Sequence, residues 1–173
     1  ADITEPFFLA LSPDRNFLYS IHSPDEFGGE SHEEIAAYAI VGDNGELKPL
    51  NRQSALGSAS CYLEVDATGK TVLVSNYSTG SVASFPVQAD GSLGEAATFQ
   101  QHVVATGDPS ELGPRAHCFI ISPDNRFAFA ADLGLDKVLT YQLDAAQSTL
   151  APHRQPFVRT PPGAGPRSAS RLG

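Results

Sequence analysis

At 173 residues the chain has room for one ordinary domain with a sizeable core, and 41% hydrophobic against 18% charged residues marks it as globular, not disordered. Twenty acidic residues against eleven basic ones give a formal charge of −9, which excludes a sequence-independent binder of nucleic acid, since that needs a basic face to displace counterions. No basic stretch leads into an apolar one at the start, and no apolar run approaches the ~20 residues of a membrane span, so the expectation is a cytoplasmic protein without membrane contact.

Strand signals arrive in a repeating order. Residues 9–23 read LALSPDRNFLYSIHS, residues 63–78 LEVDATGKTVLVSNYS, and residues 119–134 FIISPDNRFAFAADLG: each an apolar run, a polar turn and a second apolar run. The turns Pro13-Asp14-Arg15-Asn16, Asp66-Ala67-Thr68-Gly69 and Pro123-Asp124-Asn125-Arg126 combine Pro, which presets φ, with Asp, Asn and Gly, which suit tight hairpins. A second pair follows each hairpin: 34–41 with 47–55, 81–88 with 93–104, and 137–143 with 150–158. Asp14, Asp66 and Asp124 recur at 52 and 58 residues, the period of a propeller blade, and no long helical periodicity interrupts them.

The fold class predicted is therefore all-β: a single partial β-propeller over 1–173, with four-stranded antiparallel blades at about 5–56, 59–105 and 115–159, and 160–173 opening a further blade or forming a tail. A sandwich of short strands is the alternative, but it does not require the third and fourth strands to recur in the same order. Three blades do not close a ring. The chain is thus expected either to form a homo-oligomer through exposed blade faces or to belong to a longer parent protein.

In a propeller, residues before the first strand of a blade and after its second converge on one rim. Here these are His22, Asn76, Tyr77, Arg115, His117, Asp132 and Arg167. Arg holds a carboxylate or phosphate and His moves a proton near neutral pH, so such a cluster suits an anion-binding hydrolytic site. The same residues would equally serve to line a solvated channel.

Asn76-Tyr77 through Gly80-Ser81-Val82 to Asp90-Gly91-Ser92-Leu93-Gly94 resembles the second-blade region of the 6-phosphogluconolactonase family, the lactonase seven-bladed propellers. Pro114-Arg115-Ala116-His117, Ser122-Pro123-Asp124 and the run from Ala131-Asp132-Leu133-Gly134 to Lys137-Val138 are similar to the following blade, and Gly165-Pro166-Arg167 to the opening of the next. The resemblance implies a cofactor-independent enzyme that hydrolyses a small-molecule sugar-acid lactone with water. It makes His117 the acid-base residue and Arg167 the anion-holding Arg of a Gly-Pro-Arg-His motif, with an active-site Glu beyond Gly173; the other converging residues Arg115, Asn76, Tyr77 and Asp132 are then expected to bind substrate. Arg115 stands where the family usually has His, Ser168 where its motif ends in His, and His22-Ser23 where it has Asn-Glu. A non-catalytic half-propeller that assembles as a binding module, and another hydrolase or lactone-forming activity on this scaffold, are the alternatives.

Other signals are weaker. Cys61 and Cys118 sit in apolar runs and are expected to be buried small hydrophobes. His32-Glu33-Glu34 lacks the second His of a zinc helix, and no metal is expected. Asn76-Tyr77-Ser78 matches a glycosylation sequon by chance pattern, and no Gly-x-Ser-x-Gly elbow or nucleotide fingerprint occurs. His102 and His153 are expected to be solvated on outer strands.

Overall fold

Each apolar-turn-apolar repeat folds with its following strand pair into one antiparallel sheet. The computed structural model describes residues 6–23, 33–104 and 112–168. The first sheet holds β1 (Pro6–Leu11), β2 (Phe17–His22), β3 (Glu34–Val41) and β4 (Glu46–Ser54) in that order. The second holds β5 (Ser60–Val65), β6 (Thr71–Asn76), β7 (Ser81–Pro86) and β8 (Thr98–Gln101), and the third β9 (Ala116–Ile121), β10 (Phe127–Asp132), β11 (Lys137–Asp144) and β12 (Thr149–Arg159). Among the described residues every regular element is a strand. The expected all-β partial propeller of three four-stranded blades is what forms.

The core lies between blades. Side chains alternate across a strand, so a central blade must be apolar on both faces. Val72 and Val74 of β6 turn toward the first blade, where they meet Tyr19, Ile21 and Ile35, while Leu73 turns the other way to meet Phe119, Ile121 and Tyr141 of the third. Every residue of β6 is buried. At about 1.5–3 kcal/mol for each fully buried Val or Leu, these two interfaces hold the blades in register.

The hairpin turns lie on one rim. Arg15, Gly69 and Asn125 take the left-handed conformation, at φ of 61°, 72° and 58°, each donating its N–H to the carbonyl three residues back. In the first turn Arg15, not the more permissive Asn16, occupies that position, and the side chain of Asn16 donates to Asp14. Asp66 accepts from the Thr68, Lys70 and Thr71 N–H groups and from the Asn125 side-chain amide of the next blade, so one carboxylate closes its own turn and ties two blades together.

The fourth strand of the middle blade is shorter than the 93–104 expected. Leu93 is buried between blades, and its backbone is taken by the first blade: Asn51 and Gln53 side chains donate to its carbonyl at 2.7 and 3.1 Å, and its N–H donates to Asn51 at 2.9 Å. Leu93 meets the end of the third strand only as an isolated bridge to Val87, and the continuous ladder along β7 begins at Thr98. Residues 160–168 form a turn and no strand, and 169–173 lie outside the described residues, as do 27–29 and His32 of the glycine-rich stretch.

Candidate functional site

The innermost strands β1, β5 and β9 pack side by side, and each is bulged near its second residue. In β5, Ser60 pairs with Asn76 and Tyr62 with Ser75, leaving Cys61 without an opposite residue. Ala116 pairs with Asp132 and Cys118 with Ala131, leaving His117 in the same situation, and the register of β1 slips between Pro6 and Leu9, across Phe7. A bulge re-aims the side chain it carries. Here the three bulges deliver Phe7, Cys61 and His117, the second residues of three equivalent strands, to one cavity of about 250 Å³, whose wall is completed by Tyr77, Leu133 and Arg167.

Within this cavity His117 meets the Tyr77 ring edge-on, with centroids 5.7 Å apart and planes at 87°. Among the described residues neither the His117 imidazole nor the exposed Arg167 guanidinium takes a hydrogen-bonding or ionic partner. Cys61 donates to the His117 carbonyl at 3.3 Å, fixing the backbone of the residue beside it. Burial pushes the Cys61 thiol up to about 11, against a smaller opposing effect of its Ser75 contact, so it stays protonated at neutral pH and is no nucleophile. It is half-buried, not wholly buried as expected, because the bulge turns it toward the cavity.

The remaining expected residues lie behind this cavity and not on its lining. Arg115 donates to the Ser78 and Pro114 carbonyls at 3.2 and 2.9 Å and lies 5.8 Å from the Tyr77 ring centre, so its guanidinium clamps the loop carrying Tyr77. Asn76 is fully buried, accepting from Ser60 and donating to the Ala55 carbonyl and Ser81, which also removes it as a glycosylation acceptor. Asp132, equally buried, accepts from the Arg115, Gly134 and Leu135 N–H groups. His22 is buried against Tyr38, with Nε2 and the hydroxyl 3.1 Å apart. These three residues end the second strand of each blade, and a strand end packed under the neighbouring loop faces protein, not solvent.

His102 corrects an expectation outright. It is 3% exposed, its Nδ1 lies 2.6 Å from an Asp132 oxygen, and its Nε2 lies 2.9 Å from the Tyr141 hydroxyl. Residues just past the outer strand of one blade cross under the next, and that crossing carries His102 out of solvent. His153 is half-buried, packed edge-on against Phe127.

The family model for the lactonase, 7-bladed β-propeller, matches residues 1–170. The chain belongs to that lactonase family. It is 36% identical over 168 residues to a 6-phosphogluconolactonase of Bacillus subtilis, covering 96% of this chain and 45% of the relative, and 32% identical to a 6-phosphogluconolactonase of Formosa agariphila, covering 92% and 45%. The structure superposes with a TM-score of 0.84 and 32% identity on the periplasmic gluconolactonase of Pseudomonas aeruginosa, over 97% of this chain and 48% of that one. The chain thus spans less than half the length of these lactonase relatives, and the cavity is built from the part of the ring that it supplies.

Proposed function

We propose that the chain supplies part of the active site of a lactonase that hydrolyses a sugar-acid lactone, such as 6-phosphogluconolactone, with water as nucleophile. One observation carries the reading: the β9 bulge brings an imidazole, and the 160–168 segment a guanidinium, into one cavity beside an aromatic ring, and neither takes a hydrogen-bonding or ionic partner among the described residues. The names of the 6-phosphogluconolactonase relatives support it.

In this reading Arg167 pairs with the substrate's anionic group, and Tyr77 and Leu133 contact the apolar face of the sugar ring. His117 takes a proton as the water oxygen bonds to the lactone carbonyl carbon. The tetrahedral intermediate then breaks its bond to the ring oxygen, and His117 returns the proton to that oxygen, leaving the open-chain acid. Arg115 acts on Tyr77, and Asn76 and Asp132 shape the loops. Replacing His117→Ala is expected to lower kcat about 100-fold or more, the usual contribution of a positioned acid-base group, with the β-sheet circular dichroism unchanged. Unaltered turnover of 6-phosphogluconolactone in that variant overturns the assignment.

A second reading, a non-catalytic module that assembles through its blade faces, draws on the exposure of Phe7, Leu9 and Leu11 along β1.

A further inference from the structure

Arg167 enters the cavity from a segment with no strand or helix to hold it, yet the segment is not loose. Asp136, in the turn between β10 and β11, accepts the Gly163 N–H on one carboxylate oxygen at 2.6 Å and the Gly165 N–H on the other at 2.7 Å. Its backbone carbonyl accepts the Thr160 N–H at 2.9 Å, and Ala164 donates to Pro161 within the turn. Gly163 and Gly165 have φ of 76° and 50°, values that favour glycine, and a Cβ on Gly165 would stand 3.3 Å from Leu133, itself part of the cavity wall. The chain is thus pinned on both sides of Ala164, and the second pin, at Gly165, stands two residues before Arg167.

The same bonds bear on charge. Asp136 and Arg167 border a common hollow on the far side of Leu133, but both carboxylate oxygens are directed at amide N–H groups, and the two side chains form no ion pair. The Gly165 and Gly163 N–H groups hold the Asp136 carboxyl below its ordinary range, so the anchor persists through the neutral range.

We propose that Asp136 is a positioning residue for anion binding: its carboxylate holds the 160–165 turn so that Arg167 projects into the His117 cavity without pairing with Asp136. The inference rests on the reading of Arg167 given above, and the experiment separates the two. Binding of 6-phosphogluconate, the product of the proposed reaction, is measured by titration calorimetry on the chain and on Arg167→Gln, Asp136→Asn and the double variant, with amide exchange across 160–167 followed by mass spectrometry.

Arg167→Gln is expected to weaken binding about tenfold, as loss of one charge-assisted contact does. Asp136→Asn is expected to weaken it about three- to tenfold and to speed exchange across 160–167, yet to add less than about twofold in the Arg167→Gln background, because its effect passes through that side chain. A full additional loss in the double variant, or wild-type affinity and exchange in Asp136→Asn, overturns the positioning role. Undiminished binding in Arg167→Gln, or no binding by the unaltered chain, overturns the anion-site reading beneath it.

Discussion

His102 closes a buried relay of three polar side chains, Asp132, His102 and Tyr141, that joins the middle blade to the third. A carboxylate only accepts, so the Nδ1 proton points at Asp132, and Nε2 meets the Tyr141 hydroxyl. Tyr141 is pushed well above its ordinary value, by burial first and by the Asp132 charge second, so it stays neutral and serves as a strut. Removing the imidazole leaves the buried Asp132 oxygen and the Tyr141 hydroxyl without their shared partner, and His102→Ala is therefore expected to cost about 3 kcal/mol. That corresponds to a melting temperature lower by about 6–12 °C, whereas Tyr141→Phe, which loses one neutral bond, should fall by about 2–4 °C. An unshifted melting curve for His102→Ala in scanning calorimetry would place His102 outside any such relay. The sequence offers a solvated outer-strand histidine at this position. Its partner lies 30 residues away on another blade, and a role set wholly by long-range packing leaves no local mark. His117 and Arg167 were legible because the family motifs include them, whereas Cys61, which also lines the cavity, passes as one more small apolar residue of a strand.

At the scale of the element, the repeated hairpins were legible because turn chemistry is local: Pro13, Gly69 and Pro123 announce their turns wherever the chain lies. The inner-strand bulges were not, since a bulge is a relation between two strands and SCYLEV reads as an ordinary strand. The bulges nevertheless aim the site. The Asp66 turn carries an independent test by pH. Burial alone would raise the Asp66 pKa, but hydrogen bonds from Thr68, Asn125 and the turn N–H groups outweigh it and hold the group below its ordinary value. A carboxyl depressed on folding stabilises the fold above its unfolded pKa of about 3.9, and that stabilisation is lost as pH falls through the folded value. Asp66→Asn is thus expected to melt below the unaltered chain at pH 7 and to converge with it as pH falls through the depressed folded value. A difference that persists undiminished at pH 2 would mean that the carboxylate charge plays no part in the turn.

Taken whole, the molecule buries both faces of its middle blade and one face of each outer blade. On β1, Phe8 and Ala10 pack into the first interblade core, so the alternate residues Phe7, Leu9 and Leu11 point away from it and remain 52%, 55% and 50% exposed. At the other end, Ile120, Phe127 and Phe129 occupy the face of the third blade opposite its core, where they are half-buried. Two different apolar faces on one body favour a head-to-tail contact, which closes into a ring when the rotation fits and otherwise extends. We expect the isolated chain to self-associate through β1, with a mass by light scattering that rises with concentration toward a discrete assembly. Leu9→Lys combined with Leu11→Lys should hold it monomeric without lowering its melting temperature by more than about 4 °C, since exposed substitutions usually change stability by at most about 0.5 kcal/mol each. A monomer of the unaltered chain at millimolar concentration would remove self-association and, with it, the reading as an assembly module. The cavity at the bulged strands would then be completed only by further blades of a longer lactonase, since Phe7, Cys61 and His117 supply its wall from three blades alone.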